Sequence, residues 1–149
     1  MTNIDFTKSE QYTLSIRLSA DGFSFSIHPP QKEAEVFLAS YPVNVSYSMT
    51  ANLKKMIQAT EELKHNYGQT NILIDTQRFT PIPFDLFEDE QTEQLFYQNF
   101  QRTDNETVLC NILGKSNIAL IFGMDKHTHQ LINESFPHAR IFACASPLT

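Results

Sequence analysis

Between Tyr12 and Ile27 the chain reads YTLSIRLSADGFSFSI, with apolar residues alternating with small polar ones on both sides of Asp21-Gly22. Alternation with period 2 is the signature of a strand with one buried face. An Asp-Gly pair supplies the positive φ angles of a tight turn, so the stretch predicts a β-hairpin. Pro29-Pro30 ends its second strand, because proline has no N–H to give to a ladder. A third strand is predicted over Ala34–Val45, interrupted near Pro42.

The period then changes. Thr50 is placed as the N-cap of a helix running through Tyr67, with Leu53, Met56, Ile57, Leu63 and Tyr67 on its apolar face and Gly68 as its stop. Asn71-Ile72-Leu73-Ile74-Asp75 is a short apolar run and reads as a buried strand. Thr80-Pro81-Ile82-Pro83 suits neither a helix nor a central strand and reads as an extended crossing segment. Glu88–Phe100 predicts a second helix whose acidic start complements the helix dipole. Thr107–Leu113 and Asn117–Gly123 predict a second hairpin around Gly114-Lys115-Ser116. Asp125 is the expected cap of a third helix, with Leu131, Ile132 and Phe136 inward and Pro137 ending it. Ala139–Ala143 is the last predicted strand. Strands and helices alternate through the middle. The pattern predicts an α/β chain of α+β mixed character, a mixed sheet with helices packed on it.

Composition narrows the functional classes. With 149 residues, 41% hydrophobic and 19% charged, the chain is long enough and apolar enough for one globular unit with a real core. The net charge is −6 and the eleven Lys and Arg are scattered, so nucleic acid and anionic membrane are not expected partners. Cys110 falls in a predicted strand and Cys144 directly follows one, and both read as buried, reduced thiols; no CxxC or Cys/His spacing predicts a metal. The first eleven residues, MTNIDFTKSEQ, hold no apolar signal region, and no run is long enough to span a bilayer. A cytoplasmic location is expected.

The chemical motifs thin out on inspection. A phosphate-binding loop ending in Gly114-Lys115-Ser116 needs a glycine five positions earlier, where Leu109 stands. His127 and His129 would leave a helix about 200° apart and cannot share an ion. A two-metal nuclease needs several acids on central strands. The first strand carries Arg17 instead, and Asp75 is the one suitably placed carboxylate, expected to bind the turn that follows it. No catalytic residue emerges, and an enzyme is not predicted.

Four segments carry a resemblance: LSIRLSADGFSFSI at Leu14–Ile27, Leu53-Lys54-Lys55, RFTPIPFDLFEDE at Arg78–Glu90, and FGMDK at Phe122–Lys126. Over essentially its whole length the chain resembles a bacterial family known as domain of unknown function 3822. The resemblance implies an actin-like ATPase fold, two ribonuclease H-like halves around a nucleotide cleft. Residues 1–149 would form one ribonuclease H-like domain, the first half of that architecture. It implies no established activity. In actin-like ATPases an Asp-x-Gly signature ends the first strand, where the acid organises magnesium and backbone amides meet phosphate. Here Arg17 falls near that acid, and Asp21-Gly22 lies in the turn itself. If ATP with magnesium binds, the resemblance places it at Arg17, Ser19, Asp21, Gly22 and Asp75. An arginine cannot hold magnesium, so the leading expectation is a non-catalytic domain without cofactor, acting in structure or protein interaction. The alternative is a nucleotide-binding or ATPase protein that needs a second half or a second copy to complete its cleft. Half of such a fold leaves apolar surface exposed, so a protein partner or a homodimer is expected.

Overall fold

The alternation between Tyr12 and Ile27 becomes two antiparallel strands, β1 (Thr13–Ser19) and β2 (Gly22–His28), with Ser19 opposite Gly22. Leu14, Ile16, Leu18, Phe23, Phe25 and Ile27 all face the same side and are buried. The computed structural model describes residues 5–31 and 35–144. The turn departs from expectation. Its two loop residues are Ala20 and Asp21, and neither they nor Gly22 has a positive φ. Six buried side chains fix the register of the two strands, so the loop closes without the left-handed pair that Asp-Gly suggests. Strand β3 (Phe37–Tyr41) pairs antiparallel with β2. It is shorter than predicted: Pro42 follows its end instead of interrupting it, and Ala34 lies outside the described residues.

Helix α1 (Met49–Ala59) is capped by Ser48, whose Oγ accepts the Ala51 N–H at 3.1 Å. Thr50 is therefore inside the first turn, with its hydroxyl free for another use. The helix stops at Ala59, and a 3-10 turn follows over Glu61–Lys64. Leu63 and Tyr67 still reach the core, but from beyond the helix. Gly68 is not its stop. Its N–H donates to the Tyr12 carbonyl at 3.0 Å, and a Cβ there would come within 3.2 Å of the Glu10 carbonyl carbon. Glycine is needed at that close approach of two backbones.

Strand β4 (Gln69–Ile74) runs parallel to β1, and β8 (Arg140–Ala143) runs parallel to β4. The sheet order is β3-β2-β1-β4-β8, with β2 opposed to the others. This is the ribonuclease H-like sheet that the family resemblance implies. Helices α1 and α3 (Lys126–Ser135) lie together on one of its faces, where Leu53, Met56, Ile132 and Phe136 meet the buried side chains of β1, β2 and β4. No helix among the described residues is long and apolar enough to cross a membrane.

Between β4 and α3 the chain builds a second sheet, ordered β5 (Phe79–Pro83), β7 (Ile118–Asp125), β6 (Glu106–Leu113). The predicted crossing segment is thus an edge strand, the one place where Pro81 and Pro83 cost no ladder bond. Helix α2 (Thr92–Tyr97) is half as long as predicted, because its acidic approach, Asp89–Gln91, forms a 3-10 turn. Gly114-Lys115-Ser116 is the hairpin turn between β6 and β7, and Asn117 closes it with φ of 51°.

The second sheet is fastened to the free edge of the first. Leu120 and Phe122 pack on Ile141 and Ala143. Asn111 on β6 donates through Nδ2 to the Ile141 carbonyl (2.9 Å) and accepts the Ala143 N–H through Oδ1 (3.1 Å). One side-chain amide so stands in for the peptide group of a neighbouring strand. Asn111→Ala leaves both groups of β8 unpaired, and the expected loss is about 2 kcal/mol of unfolding free energy. Urea denaturation measures it, and hydrogen exchange at the Ala143 amide should quicken in the same variant. Cys110 and Cys144 are free thiols, and burial pushes the Cys110 thiol up to about 11, which keeps it protonated and inert.

Candidate functional site

In an open α/β sheet, the crevice beyond the carboxyl ends of the parallel strands is where a ligand binds. Here it is a cavity of about 330 Å³ between the ends of β4 and β7 and the start of α1. Asp75, Asp104, Glu106 and Asp125 line it, together with Arg78 and Gly123.

The structure divides the five residues expected at a nucleotide into two groups. Arg17 and Asp75 meet, with Nη2 3.6 Å from Oδ2, because β1 and β4 pair in parallel and the Asp75 N–H bonds the Leu18 carbonyl. Their side chains are 58% and 44% exposed, so water screens the pair and it contributes at most about 1 kcal/mol. Asp75 does not bind the turn that follows it. Thr76 does, its Oγ1 accepting the Arg78 N–H at 3.1 Å. Ser19, Asp21 and Gly22 remain at the hairpin end, where Ser19 Oγ accepts the Asp21 N–H at 3.3 Å. Ser19 opens on a separate cavity of about 280 Å³ lined by Ala20, Val45 and Tyr47.

Two carboxylates of the crevice carry its polar structure. Asp125 caps α3: its Oδ2 accepts the Thr128 N–H (2.9 Å) and hydroxyl (3.0 Å), and the Thr50 hydroxyl (3.0 Å). Burial pushes its carboxyl up, but these hydrogen bonds outweigh burial and hold it below the usual range. The predicted cap is correct, and it also ties the start of α3 to the start of α1. A helix N-terminus closed by its own carboxylate has no place for a phosphate.

Glu106 is the other. Its side chain is only 7% exposed. Arg78 grips it with two prongs, Nε to Oε2 at 2.7 Å and Nη2 to Oε1 at 2.9 Å. The Tyr97 hydroxyl (2.9 Å) and the Thr103 hydroxyl (3.2 Å) also donate to Oε1. The Arg78 guanidinium lies over the rings of Phe96 and Phe100, 5.5 and 5.1 Å from their centroids. Burial again raises the carboxyl, and the donors from Arg78, Tyr97 and Thr103 bring it below the usual range. Sequence reading passes over this cluster, since Arg78 and Glu106 lie 28 residues apart and only Arg78 falls in a segment that carries the resemblance. The one local signal is Gly123, a glycine inside an otherwise apolar strand, which often marks the close approach of another group.

His129 Nε2 lies 3.4 Å from the Asn133 amide on its own helix. No group of three or more His, Cys, Asp or Glu among the described residues is arranged to hold a metal ion.

A ribonuclease H-like sheet with a second sheet inserted before its last helix, and a crevice at its strand ends, defines a protein of the actin-like ATPase fold. The chain belongs to the family described as Protein of unknown function (DUF3822), which matches residues 1–149. It is similar to a crystal structure from Bacteroides thetaiotaomicron, described as a protein with actin-like ATPase fold and unknown function. The two share 50% identity and a TM-score of 0.93, over 98% of this chain and 57% of that chain. This chain therefore spans little more than half the length of that relative. No curated protein matches it.

Proposed function

We propose that the chain is a non-catalytic half of an actin-like architecture, with a structural role exercised through contacts with other protein. The observation that carries this reading is how the crevice spends its charges. Arg17 stands near the position where a magnesium-holding acid is expected, and Asp75 pairs with it. Glu106 and Asp125 are committed to protein donors, so neither offers oxygens to a cation without breaking the fold around it. The remaining carboxylate, Asp104, repels a nucleotide's phosphates. Free, partly buried thiols favour a reducing compartment, the cytoplasm.

Isothermal titration with ATP and magnesium tests the reading. The expected result is no binding in the micromolar range, for the chain as it stands and for Arg17→Ala alike. Micromolar binding that Arg17→Ala abolishes would overturn it in favour of a nucleotide-binding protein.

A further inference from the structure

We infer that β6 is the interaction strand of this protein: its open edge pairs antiparallel with β6 of a second copy, joining two three-stranded sheets into one of six strands. The inference rests on the interaction role proposed above and names its surface. Two sheets have four edges, and among the described residues three of them are closed or short. β5 turns Pro81 and Pro83 outward, where the missing N–H groups deny a further strand its donors. β8 has outer peptide groups taken by the Asn111 side chain. β3 offers five residues and stops before Pro42. β6 is eight residues long, and β7 is its one partner strand among the described residues. Between Thr107 and Leu113 it holds no charge, no proline and no glycine. A long, apolar edge of that kind is a template for another strand.

The register tells which groups are open. The Gly123 N–H donates to the Arg78 carbonyl at 3.0 Å, so Gly123 turns its peptide groups toward β5. Val108, opposite Gly123 in the ladder, therefore turns its own away from β7, and Cys110 and Ile112 follow with period 2. Among the described residues no backbone hydrogen bond reaches these three from outside the sheet. A second β6 satisfies them about a two-fold axis through Cys110. Val108 of each copy then lies opposite Ile112 of the other, with about six main-chain bonds across the axis. Ile112, 53% exposed in the single chain, gains an apolar neighbour. Centring the axis on Leu109 instead would set Ile112 against Glu106, whose carboxylate Arg78 already holds. An uncharged run meets its own copy without placing like charges opposite each other. A peptide of another protein is the poorer occupant. Such peptides take their specificity from pockets beside the edge, and neither cavity described above is lined by a residue of Thr107–Leu113.

A strand edge alone makes a small interface, so the expected dimer is weak, with a Kd of about 1–100 μM. Sedimentation velocity across that range reads it. Ile112→Lys is expected to weaken the dimer at least ~100-fold, because both copies then bring a lysine against apolar neighbours. Position 112 is exposed in the single chain, so the variant keeps the parent's urea midpoint. Hydrogen exchange locates the contact. Protection at the Val108, Cys110 and Ile112 amides should rise with protein concentration, while Thr107, Leu109 and Asn111, which face β7, stay protected at every concentration. A monomer at the highest concentration would overturn the inference. So would a dimer that Ile112→Lys leaves intact, or one in which exchange at the three open amides ignores concentration. Neither measurement involves nucleotide. ATP binding by a protein that pairs through β6 removes only the non-catalytic reading, and a monomer that binds no ATP removes only the pairing.

Discussion

Replacing Glu106 by alanine is expected to lower the unfolding free energy by about 3 kcal/mol, the low end for breaking a buried ion pair, since Arg78 is still partly in water. The carboxylate anchors the two-pronged grip of Arg78 and the hydroxyls of Tyr97 and Thr103. Without it, the guanidinium is left against Phe96 and Phe100 with its charge uncompensated. Urea denaturation of the variant measures the loss, and a value within 0.5 kcal/mol of the parent, the size of an ordinary surface change, would show that the cluster is not what holds the second sheet to α2. The pH dependence gives a second check. The folded Glu106 carboxyl lies below its usual range, so its contribution is present above the unfolded value of about 4.3 and is lost as pH falls through the folded value. Asp125 is lowered in the same direction and adds to the same acid limb. The difference between the parent and Glu106→Gln isolates the first: it should be constant near neutral pH and shrink below about pH 4.

Gly123→Ala is expected to cost about 2–3 kcal/mol, in the range of an overpacked core. Gly123 sits on the central strand of the second sheet, directly beneath the Glu106 carboxylate. An added Cβ would meet Glu106 Oε2, lie 2.7 Å from its Cδ, and come within 2.9 Å of Phe96 Cζ. A flexible exposed glutamate would swing away at little cost. This one is held by three partners and cannot. The two substitutions are therefore coupled: in the Glu106→Ala background the added methyl should cost about 1 kcal/mol or less, the part owed to Phe96. A double-mutant cycle that comes out additive would place the obstacle elsewhere.

Much of the fold is legible from local periods. Buried and exposed positions alternate along β1 and β2, and the hairpin follows from that alternation. Asp125 announces the start of α3 because a cap acts within one turn. Pro81 and Pro83 restrict their segment to an edge, though not to a particular sheet. Helix α1 is overextended in the reading because Leu63 and Tyr67 continue its apolar spacing. In the folded chain a 3-10 turn delivers them to the same core, and spacing alone does not tell the two apart. The turn at Ala20-Asp21 is misread for the opposite reason. A local preference for positive φ yields to a register set by the side chains on both strands.

The site lies further from the sequence. Arg17 and Asp75 are visible as separate residues, and their meeting depends on β1 and β4 pairing in parallel with one particular register. The Arg78–Glu106 cluster draws on the start of β5, α2 and β6, and on a glycine of β7, so no window of sequence contains it. By itself the sequence determined the elements of the first sheet, their buried faces and the absence of an acid on the first strand. The tertiary structure decided which carboxylates are already spoken for, how Asn111 closes the edge of β8, and which strand edge stays open. The physical reason is range: periodicity and capping act over a few residues and leave a local record. Ion pairs and sheet edges are settled by segments that meet only when the chain is folded.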